Sequence, residues 1–362
     1  MREIKDIKIN KVPSPTWRWL SLNDYFLSNV EVPAGISSET ELPLAVEVKE
    51  IPEFSAGDIK SGMGDDFNKL MKCSNAPVHL FKKTKSGAAD SPVSIKLMFN
   101  DSCSEAYQAE FELVDDSSLT VVMDLETEEG ASGLGAVSVR YKLGQNAKLN
   151  LIQLVHCEGD YTILDDIGGE CADKANFSLI QIVIGSGKVF LGASSALEGK
   201  RSRLDTKLAY LVDGGGYLDV NYIADHLGKK TESEIGVAGV LRDSAKKVFR
   251  GTIDFKKGCA GAVGSEIEDV ILMNEGVINQ TIPVILCAEE DVEGSHGATI
   301  GKLPSDMLFY MTSRGMELDN IYELMARARI TAVSQSIPVP EFRDKIEEIL
   351  DEKAADRKER EL

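Results

Sequence analysis

The sequence is poor in aromatic side chains and has no long apolar run. Aromatic residues make up 6% of the 362 residues, and only two are tryptophans. The longest apolar stretches, such as "LIQLV" and "IPVILCA", are far too short to span a membrane. The N-terminal "MREIKDIKIN" alternates charged and apolar residues, which is unlike a signal peptide. We therefore expect a cytoplasmic protein without a membrane partner.

Two familiar site motifs are also absent. The six cysteines include no C-x-x-C pair, which excludes zinc-ribbon and thioredoxin-type sites. No G-x-x-x-x-G-K-[ST] loop occurs, so any dependence on ATP has to come from a partner. The formal net charge of −19 opposes binding to phosphate-rich polymers, and we expect no nucleic-acid partner.

What the sequence does contain is a long series of alternating runs, from about Val93 to Leu286. In "VSVRYKL", "RLDTKLAY", "YLDVNY" and "FRGTIDF", apolar and polar residues alternate, which predicts strands with one buried face. Short turns rich in Gly, Asp, Asn and Lys separate these runs, and no helical period interrupts them. A sandwich, a propeller and a solenoid all fit this pattern. No sharp repeat is visible and strong hairpin signals are scarce, which favours an irregular β-helix.

The ends of the chain differ from this β region. Residues before about 90 are mixed, and "SAGDIKSGMGDDFNKLMKC" predicts a turn and a short helix. After Ile300, "PSDMLFYMTSRG" predicts a helix that begins near Pro304 and is capped by Gly315. Two further apolar stripes follow at helical spacing: Leu318, Ile321, Leu324, Met325 and Ala328, then Phe342, Ile346, Ile349 and Leu350. The sequence thus predicts a mixed region (1–90), a β core (91–295) and a helical unit (296–362).

Candidate ligand residues lie near the point where the β pattern stops. His296, in "EGSHGAT", is predicted to follow the last strand, either as a metal ligand or as a turn histidine bonded to nearby backbone. Cys287 falls opposite the apolar face of its strand, so we expect a partly exposed thiol. Cys259 follows two lysines, which should lower its pKa, although it also fits a simple loop cysteine. The acidic residues Glu289, Glu290, Asp291 and Glu293 suit either iron attraction or a solvated loop.

Two blocks of the chain closely resemble the SufB/SufD family of iron–sulfur cluster assembly proteins. The first is "VEGSHGATIGKLPSDMLFYMTSRGMELDNIYELMARARI", and the second is "DHLGKKTESEIGVAGVLRDSAKKVFRGTIDF". "SPTWRWL" also resembles an N-terminal motif of SufD-like members. The matching elements of the second block are His226, Gly239, Leu241, Phe249, Gly251 and Ile253.

The resemblance implies a mainly β fold: a right-handed parallel β-helix with a small N-terminal α/β region and a C-terminal helical unit. It also implies a non-enzymatic scaffold subunit of the SufB–SufC–SufD complex, in which SufC is the ATPase. Such a complex assembles iron–sulfur clusters and passes them on, so iron or a cluster is bound transiently and no cofactor is permanent. The helical unit is expected to dock SufC through Leu318, Ile321, Leu324, Met325, Phe342 and Ile346.

Two departures from the SufB pattern make the chain more similar to SufD. Alignment places Glu268 where SufB carries an acceptor cysteine, and Gly297 where SufB has a glutamate after the histidine. His296 matches the SufD histidine that faces the SufB thiolate across the subunit interface. The resemblance therefore implies that His296 is an iron or cluster ligand, since a neutral imidazole binds iron well.

Two other functions remain open at this point. The chain could be a SufB-like scaffold that acts as a homodimer with SufC, with Cys287 or Cys259 in place of the missing cysteine. It could also be a β-helix carbohydrate-active enzyme, which needs paired acids beside aromatic sugar platforms. The low aromatic content, and the position of both tryptophans outside the β region, disfavour the enzyme.

Overall fold

Two large parallel sheets form the body of the protein. The structure is a computed structural model that describes residues 4–360 with the exception of residues 15–20, 56, 58 and 129. Most of the "SPTWRWL" motif therefore lies outside the described residues. The short helix expected before residue 90 is confirmed. The N-terminal elements are β1 (Ile4–Ile9), β2 (Tyr25–Glu31), β3 (Ala34–Gly35), β4 (Glu39–Glu41), β5 (Val46–Ile51), α1 (Asp65–Ser74), β6 (Val78–Lys83) and β7 (Gly87–Ala88).

The remaining elements are a long series of strands followed by helices. The strands are β8 (Val93–Phe99), β9 (Cys103–Leu113), β10 (Ser117–Thr127), β11 (Ser132–Leu143), β12 (Lys148–His156), β13 (Asp160–Cys171), β14 (Asn176–Gly185), β15 (Lys188–Leu197), β16 (Arg203–Val212), β17 (Tyr217–His226), β18 (Glu232–Leu241), β19 (Lys246–Phe255), β20 (Ala262–Leu272), β21 (Ile278–Cys287) and β22 (Val292–Gly301). The helices are α2 (Ser305–Ser313), α3 (Leu318–Ser334) and α4 (Pro340–Arg360).

The strands from β8 to β22 alternate between the two sheets. Even-numbered strands, with β4 and β7, form one ten-stranded sheet, which we call the even sheet. Odd-numbered strands from β9, with β3, β5 and β6, form the second, the odd sheet. From β8 in the even sheet and β9 in the odd sheet, successive strands are parallel, so the chain passes from one sheet to the other and back in every coil. This confirms the parallel β-helix, and the sandwich and propeller alternatives are wrong.

The coils differ in length, which explains why no repeat is visible in the sequence. In the even sheet, Ser118 pairs with Lys148, which in turn pairs with Asn176. The ladder continues from Asn176 through Arg203 to Glu232. These intervals vary around 28 residues instead of keeping one value, because the turns between strands differ in length.

The interior between the sheets is filled by the apolar residues that the alternation predicted. Val137, Val139 and Tyr141 of β11 point into this core, as do Leu208 and Tyr210 of β16. Glycines leave room for the largest rings. A Cβ atom on Gly239 would lie 1.9 Å from Cζ of Tyr210 on the neighbouring strand, so glycine is required there for packing.

The outer faces are not simply solvated, and the expectation of a single buried face is wrong for much of the β-helix. Asp219 and Asn221 alternate with core residues of β17, yet both are fully buried. The N-terminal segments cover this face of the odd sheet: Asn10 donates from Nδ2 to Asp219, and Asn221 donates to the carbonyl of Gly62. Short-range alternation could not reveal this cover, because it comes from residues far away in the chain.

The C-terminal helices cover the outer face of the even sheet. Ile321 and Ile330 of α3 and Ile346 of α4 pack in one apolar cluster with strand residues such as Ile152 and Ile182. The expected helix after Pro304 is confirmed as α2, and Gly315 has the positive φ of 88° that suits its end. No helix among the described residues is long and apolar enough to cross a membrane.

Candidate functional site

The last coil leaves one end of the β-helix open. Among the described strands, β21 pairs only with β19 and β22 only with β20, so each is the last strand of its sheet. Residues Glu293 to Ile300 of β22 are all exposed. We call the surface formed by β21 and β22 the open end. A free strand edge carries backbone groups that can pair with another chain.

His296 lies in the middle of β22, so its placement after the last strand is wrong. Gly, Ser and Ala around it mask the strand pattern, but the backbone pairs regularly with β20. His296 is directly opposite Glu266 in this register. The imidazole is exposed and forms no hydrogen bond with another described residue, so the backbone-bonded turn histidine is also wrong.

Register shows which side chains share the interior at the open end. In β20, Val270 belongs to the core. Glu266 and Glu268 lie four and two residues before it and therefore point to the same, inner face. Residues paired in register share a face, which places His296 on the inner side as well. Glu266 and Glu268 are 3% and 1% exposed. Two glutamates therefore lie inside the last complete coil.

Glu268 is held by a buried ion pair. Its Oε1 accepts from the ammonium of Lys247, and both side chains are fully buried. Thr281 donates from Oγ1 to Oε2 of Glu268 at 2.7 Å, and Lys247 also donates to that hydroxyl at 3.2 Å. Burial lowers the pKa of Lys247, and the adjacent Glu268 opposes that shift. The position that the alignment equates with a cysteine is thus occupied by a structural carboxylate.

Glu266 has a different environment. It forms no ion pair and no hydrogen bond among the described residues. Its carboxylate occupies the space beside Gly251, where a Cβ atom would lie 1.9 Å from Oε2. Burial raises the pKa of Glu266 to about 7, with a further contribution from Glu268. Neither Glu266 nor Lys247 was predicted from the sequence as a residue of this site. The alternation in β20 could have revealed Glu266, because Glu266 and Glu268 alternate in step with the inward-facing Val270 and so point into the interior.

The two candidate cysteines differ in access. Cys287 is exposed, as the alternation predicted, and its thiol donates to the carbonyl of Glu289 at 3.0 Å. Cys259 is fully buried in a small apolar cluster with Ile253 and Phe255. Burial raises the pKa of Cys259, so the expected lowering by the two lysines is wrong. Cys259 therefore has no access to a ligand in this structure.

At least one of the acidic residues before β22 is used in local hydrogen bonds. Glu289 accepts from the backbone N–H of Gly258 at 2.9 Å, and backbone hydrogen bonds lower its pKa. Among the described residues, no three His, Cys, Asp or Glu side chains are grouped closely enough to hold a metal ion.

His226, from the second resembling block, is buried with its ring nitrogens 2.7 and 2.8 Å from the hydroxyls of Thr231 and Ser233. It is a structural residue of its turn.

Half of the residues expected to dock a partner are covered by the chain itself. Ile321, Phe342 and Ile346 are 0%, 8% and 0% exposed, so assigning them to a partner surface is wrong. They pack instead on the even sheet, which the helical spacing alone could not distinguish from an external partner. Leu318 and Leu324 are 49% and 47% exposed, and Met325 is half-buried.

Helix α2 also carries exposed aromatic side chains. Phe309 and Tyr310 are 75% and 59% exposed. With Leu318 and Leu324 they form a set that we call the helical patch. Large exposed apolar side chains such as these are candidates for a protein–protein contact.

Comparison with known proteins matches the coils, the open end and most of α3. Residues 106–329 match the protein family described as "SUF system FeS cluster assembly, SufBD core domain". The iron-sulfur cluster assembly protein SufD of Bacillus subtilis (strain 168) is 26% identical over 151 residues, which are 41% of this chain and 34% of that protein. SufB of the same organism is 24% identical over 169 residues, 47% of this chain and 36% of SufB.

A third relative aligns over a longer stretch. An iron-sulfur cluster assembly SufBD family protein of Mycobacterium leprae (strain TN) is 21% identical over 223 residues, 59% of this chain and 57% of that protein. The chain thus spans about a third of the length of the two Bacillus relatives. The nearly equal identities to SufD and SufB do not separate the two types.

Proposed function

Because the chain belongs to the SufBD family of the SUF system for FeS cluster assembly, we propose that it is a SufD-like scaffold subunit. It would act with a SufB-type partner and the SufC ATPase, and would have no catalytic step of its own. Iron or a nascent cluster would be its transient cargo. Membership of this family supports the scaffold role over the carbohydrate-active enzyme.

The observation that carries the proposal is the contrast between His296 and Glu268 at the open end. His296 is exposed on a free edge strand and its side chain has no partner among the described residues, so its imidazole is available to a ligand or a second subunit. Glu268 is buried and bonded to Lys247 and Thr281. A chain with a glutamate locked at the cysteine position lacks a sulfur acceptor there, which supports a SufD-like role beside a subunit that has one.

The helical patch supports a docking site for SufC. Its four side chains are exposed, although the helices that carry them already pack on the even sheet. The contact would therefore involve Phe309, Tyr310, Leu318 and Leu324, with Met325 at its margin. The inward stripes of α3 and α4 would hold the helices in place for the partner.

A second candidate is a homodimer that assembles clusters with SufC alone. The free edges of β21 and β22 can pair with a second copy as well as with SufB. Cys287 is exposed and is the last residue of β21 at the open end, so it could serve as the thiol of such a dimer. Cys259 is excluded from that role by its burial.

Co-expression with candidate SufB and SufC chains, followed by native mass measurement, tests the proposal. A SufD-like subunit should appear in a complex that contains SufB and SufC together with one copy of this chain. A complex of two copies of this chain with SufC, formed even when SufB is present, would favour the homodimer. Recovery of the chain alone under all conditions would contradict both.

A further inference from the structure

Three consecutive turns along one side of the β-helix carry a group of cations. These turns join β13 to β14, β15 to β16 and β17 to β18, so each passes from the odd sheet to the even sheet. Backbone hydrogen bonds stack them. The N–H of Lys174 donates to the carbonyl of Lys200, and in the next turn the N–H of Arg201 donates to the carbonyl of Lys229, each at 2.9 Å. We give the name basic ridge to the cations of the three turns: Lys174, Lys200, Arg201, Lys229 and Lys230.

The charges of the basic ridge are not neutralised by the chain itself. All of its side chains are exposed, and none forms an ion pair or a side-chain hydrogen bond among the described residues. Stacked strands lie about 4.8 Å apart, so the cations of successive turns repel one another. This concentration of positive charge occurs in a chain whose formal net charge is −19. A bound anionic group would offset the repulsion.

The backbone of the basic ridge gives a second, independent indication of function. Lys174, Arg201 and Lys230 occupy the same position in their turns, with φ angles of 57°, 61° and 57°. This left-handed conformation is unfavourable for lysine and arginine, and glycine or asparagine adopts it more easily. The same position holds Asn146 in the preceding turn and Gly261 in the following one. Turn geometry therefore accounts for Asn146 and Gly261, whereas residues held in an unfavourable conformation are often functional.

Acidic residues limit the basic ridge at both ends. Asp116 occupies the position of Lys174 two coils earlier, and Asp291 occupies that of Lys229 two coils later. The three basic turns span on the order of 10 Å, which is about two turns of an α-helix. A long polyanion such as a nucleic acid would extend past the cations onto these carboxylates and be repelled. A short acidic segment would contact the cations alone.

We propose that the basic ridge docks a short acidic segment of a partner protein. Carboxylates on one face of an acidic helix lie about 5–6 Å apart, which is close to the spacing of the stacked turns. Such a segment would form several ion pairs in a row on an open surface. The ridge lies on the turns between the two sheets, so this contact is separate from the open end and from the helical patch. The proposal does not depend on the proposed function.

Fluorescence anisotropy of a labelled octaglutamate peptide, titrated with the purified full chain at low ionic strength, tests the ridge. The triple variant Lys174→Asn, Arg201→Asn and Lys230→Asn removes three charges. Asparagine accepts the left-handed conformation, so this variant should fold and should melt no earlier than the parent. We expect its affinity for octaglutamate to fall about tenfold, because three exposed ion pairs are lost. Lys174→Arg with Lys230→Arg keeps the charge and should bind like the parent, and added salt should weaken binding by the parent.

The matched control combines Lys49→Gln, Lys188→Gln and Lys246→Gln, which remove three exposed cations from other parts of the surface. It should bind octaglutamate like the parent. Equal weakening in the control would reduce the effect to net charge and overturn the ridge, and so would parental affinity in the asparagine variant. Octathymidylate and phosphatidylserine vesicles should bind more weakly than octaglutamate. Tighter binding of either one, lost in the asparagine variant, would contradict an acidic protein segment as the partner.

Discussion

Arg250 and Asp219 form a fully buried ion pair between neighbouring strands of the odd sheet, beneath the N-terminal region. Nη1 of Arg250 lies 2.5 Å from Oδ1 of Asp219, and the two side chains are 1% and 0% exposed. Nε of Arg250 also donates to the carbonyl of Leu22 at 2.7 Å, and Asn10 donates to the same carboxylate oxygen at 2.7 Å. The pair therefore joins β17 and β19 to chain segments more than two hundred positions away.

Replacing Arg250 with methionine should strongly destabilise the protein. The substitution leaves the Asp219 carboxylate buried without its cation, which typically costs about 3–5 kcal/mol of the free energy of unfolding. Chemical denaturation would measure the loss. Arg203→Met is the control, because Arg203 pairs with Glu232 and Glu234 at a surface where such pairs contribute about 0–1 kcal/mol. Similar losses in both variants would show that the buried pair has no special role.

Gly239→Ala should destabilise the interior. The new methyl group would meet the Tyr210 ring on the neighbouring strand, and overpacking of this kind costs about 1–3 kcal/mol. Gly236 lies on the same strand, β18, and its nearest contact for an added Cβ is an ordinary 3.8 Å to the carbonyl of Thr206. Thermal unfolding should therefore give a lower melting temperature for Gly239→Ala than for Gly236→Ala. Equal melting temperatures would contradict the packing of Tyr210.

Stability should depend on pH through Asp165, which lies fully buried in the core. Burial raises the pKa of Asp165 to about 7, while hydrogen bonds from Gln153 and Gln181 oppose the shift. An unfolded aspartate titrates near pH 4, so between about pH 4 and 7 the folded state holds a proton that the unfolded state has released. The free energy of unfolding should therefore decrease as pH rises through this window.

Asp165→Asn tests that dependence, because asparagine stays neutral. The variant should show a flatter decrease between pH 5 and 8 and a higher melting temperature than the parent at pH 8. Some slope should remain, since Glu266 is affected by pH in the same direction. Asp160→Asn, at an exposed position of the same strand, should reproduce the parent curve. A parent protein whose stability rises steadily from pH 5 to 8 would refute this account.

The helical patch should be required for SufC binding and dispensable for folding. Phe309→Ser with Leu324→Glu changes two exposed side chains, so stability should shift by less than about 0.5 kcal/mol for each. Binding in a pull-down should fall at least about tenfold if these residues are central contacts. Leu44→Ser, at a position that is 98% exposed in the N-terminal region, should bind like the parent. Undiminished binding by the double variant would place the docking surface elsewhere.

The sequence predicted the coils and the final helices because their packing follows local periodicity. Alternation identified the inward residues of β16 and the exposed thiol of Cys287, and helical spacing identified α2 and α3. It could not show that Ile321 and Ile346 pack on the even sheet, because an internal and an external partner give the same stripe. For that reason, truncation after Gly301 would expose the sheet and would not test docking cleanly.

At the candidate site, the resemblance named His296 and Glu268, but their roles depended on long-range register. Pairing of β20 with β22 brings Glu266 beside His296, and the turn between β19 and β20 buries Cys259. Neither relationship leaves a local pattern. Small residues around His296 also lack the alternation that marks a strand, which is why β22 was missed.

The iron and acid-labile sulfide content of the purified SufB–SufC complex with this chain is the most direct test of the scaffold role. His296→Ala should leave complex formation and melting temperature unchanged, because the side chain is exposed and contacts no partner in the part of the chain that the structure describes. Ser295→Ala, at the adjacent exposed position and opposite parity, is the matched control. The account predicts that iron and sulfide fall in the His296→Ala complex and stay at the parental level in the Ser295→Ala complex. Equal iron and sulfide in all three complexes would contradict a role for this chain in holding the cargo.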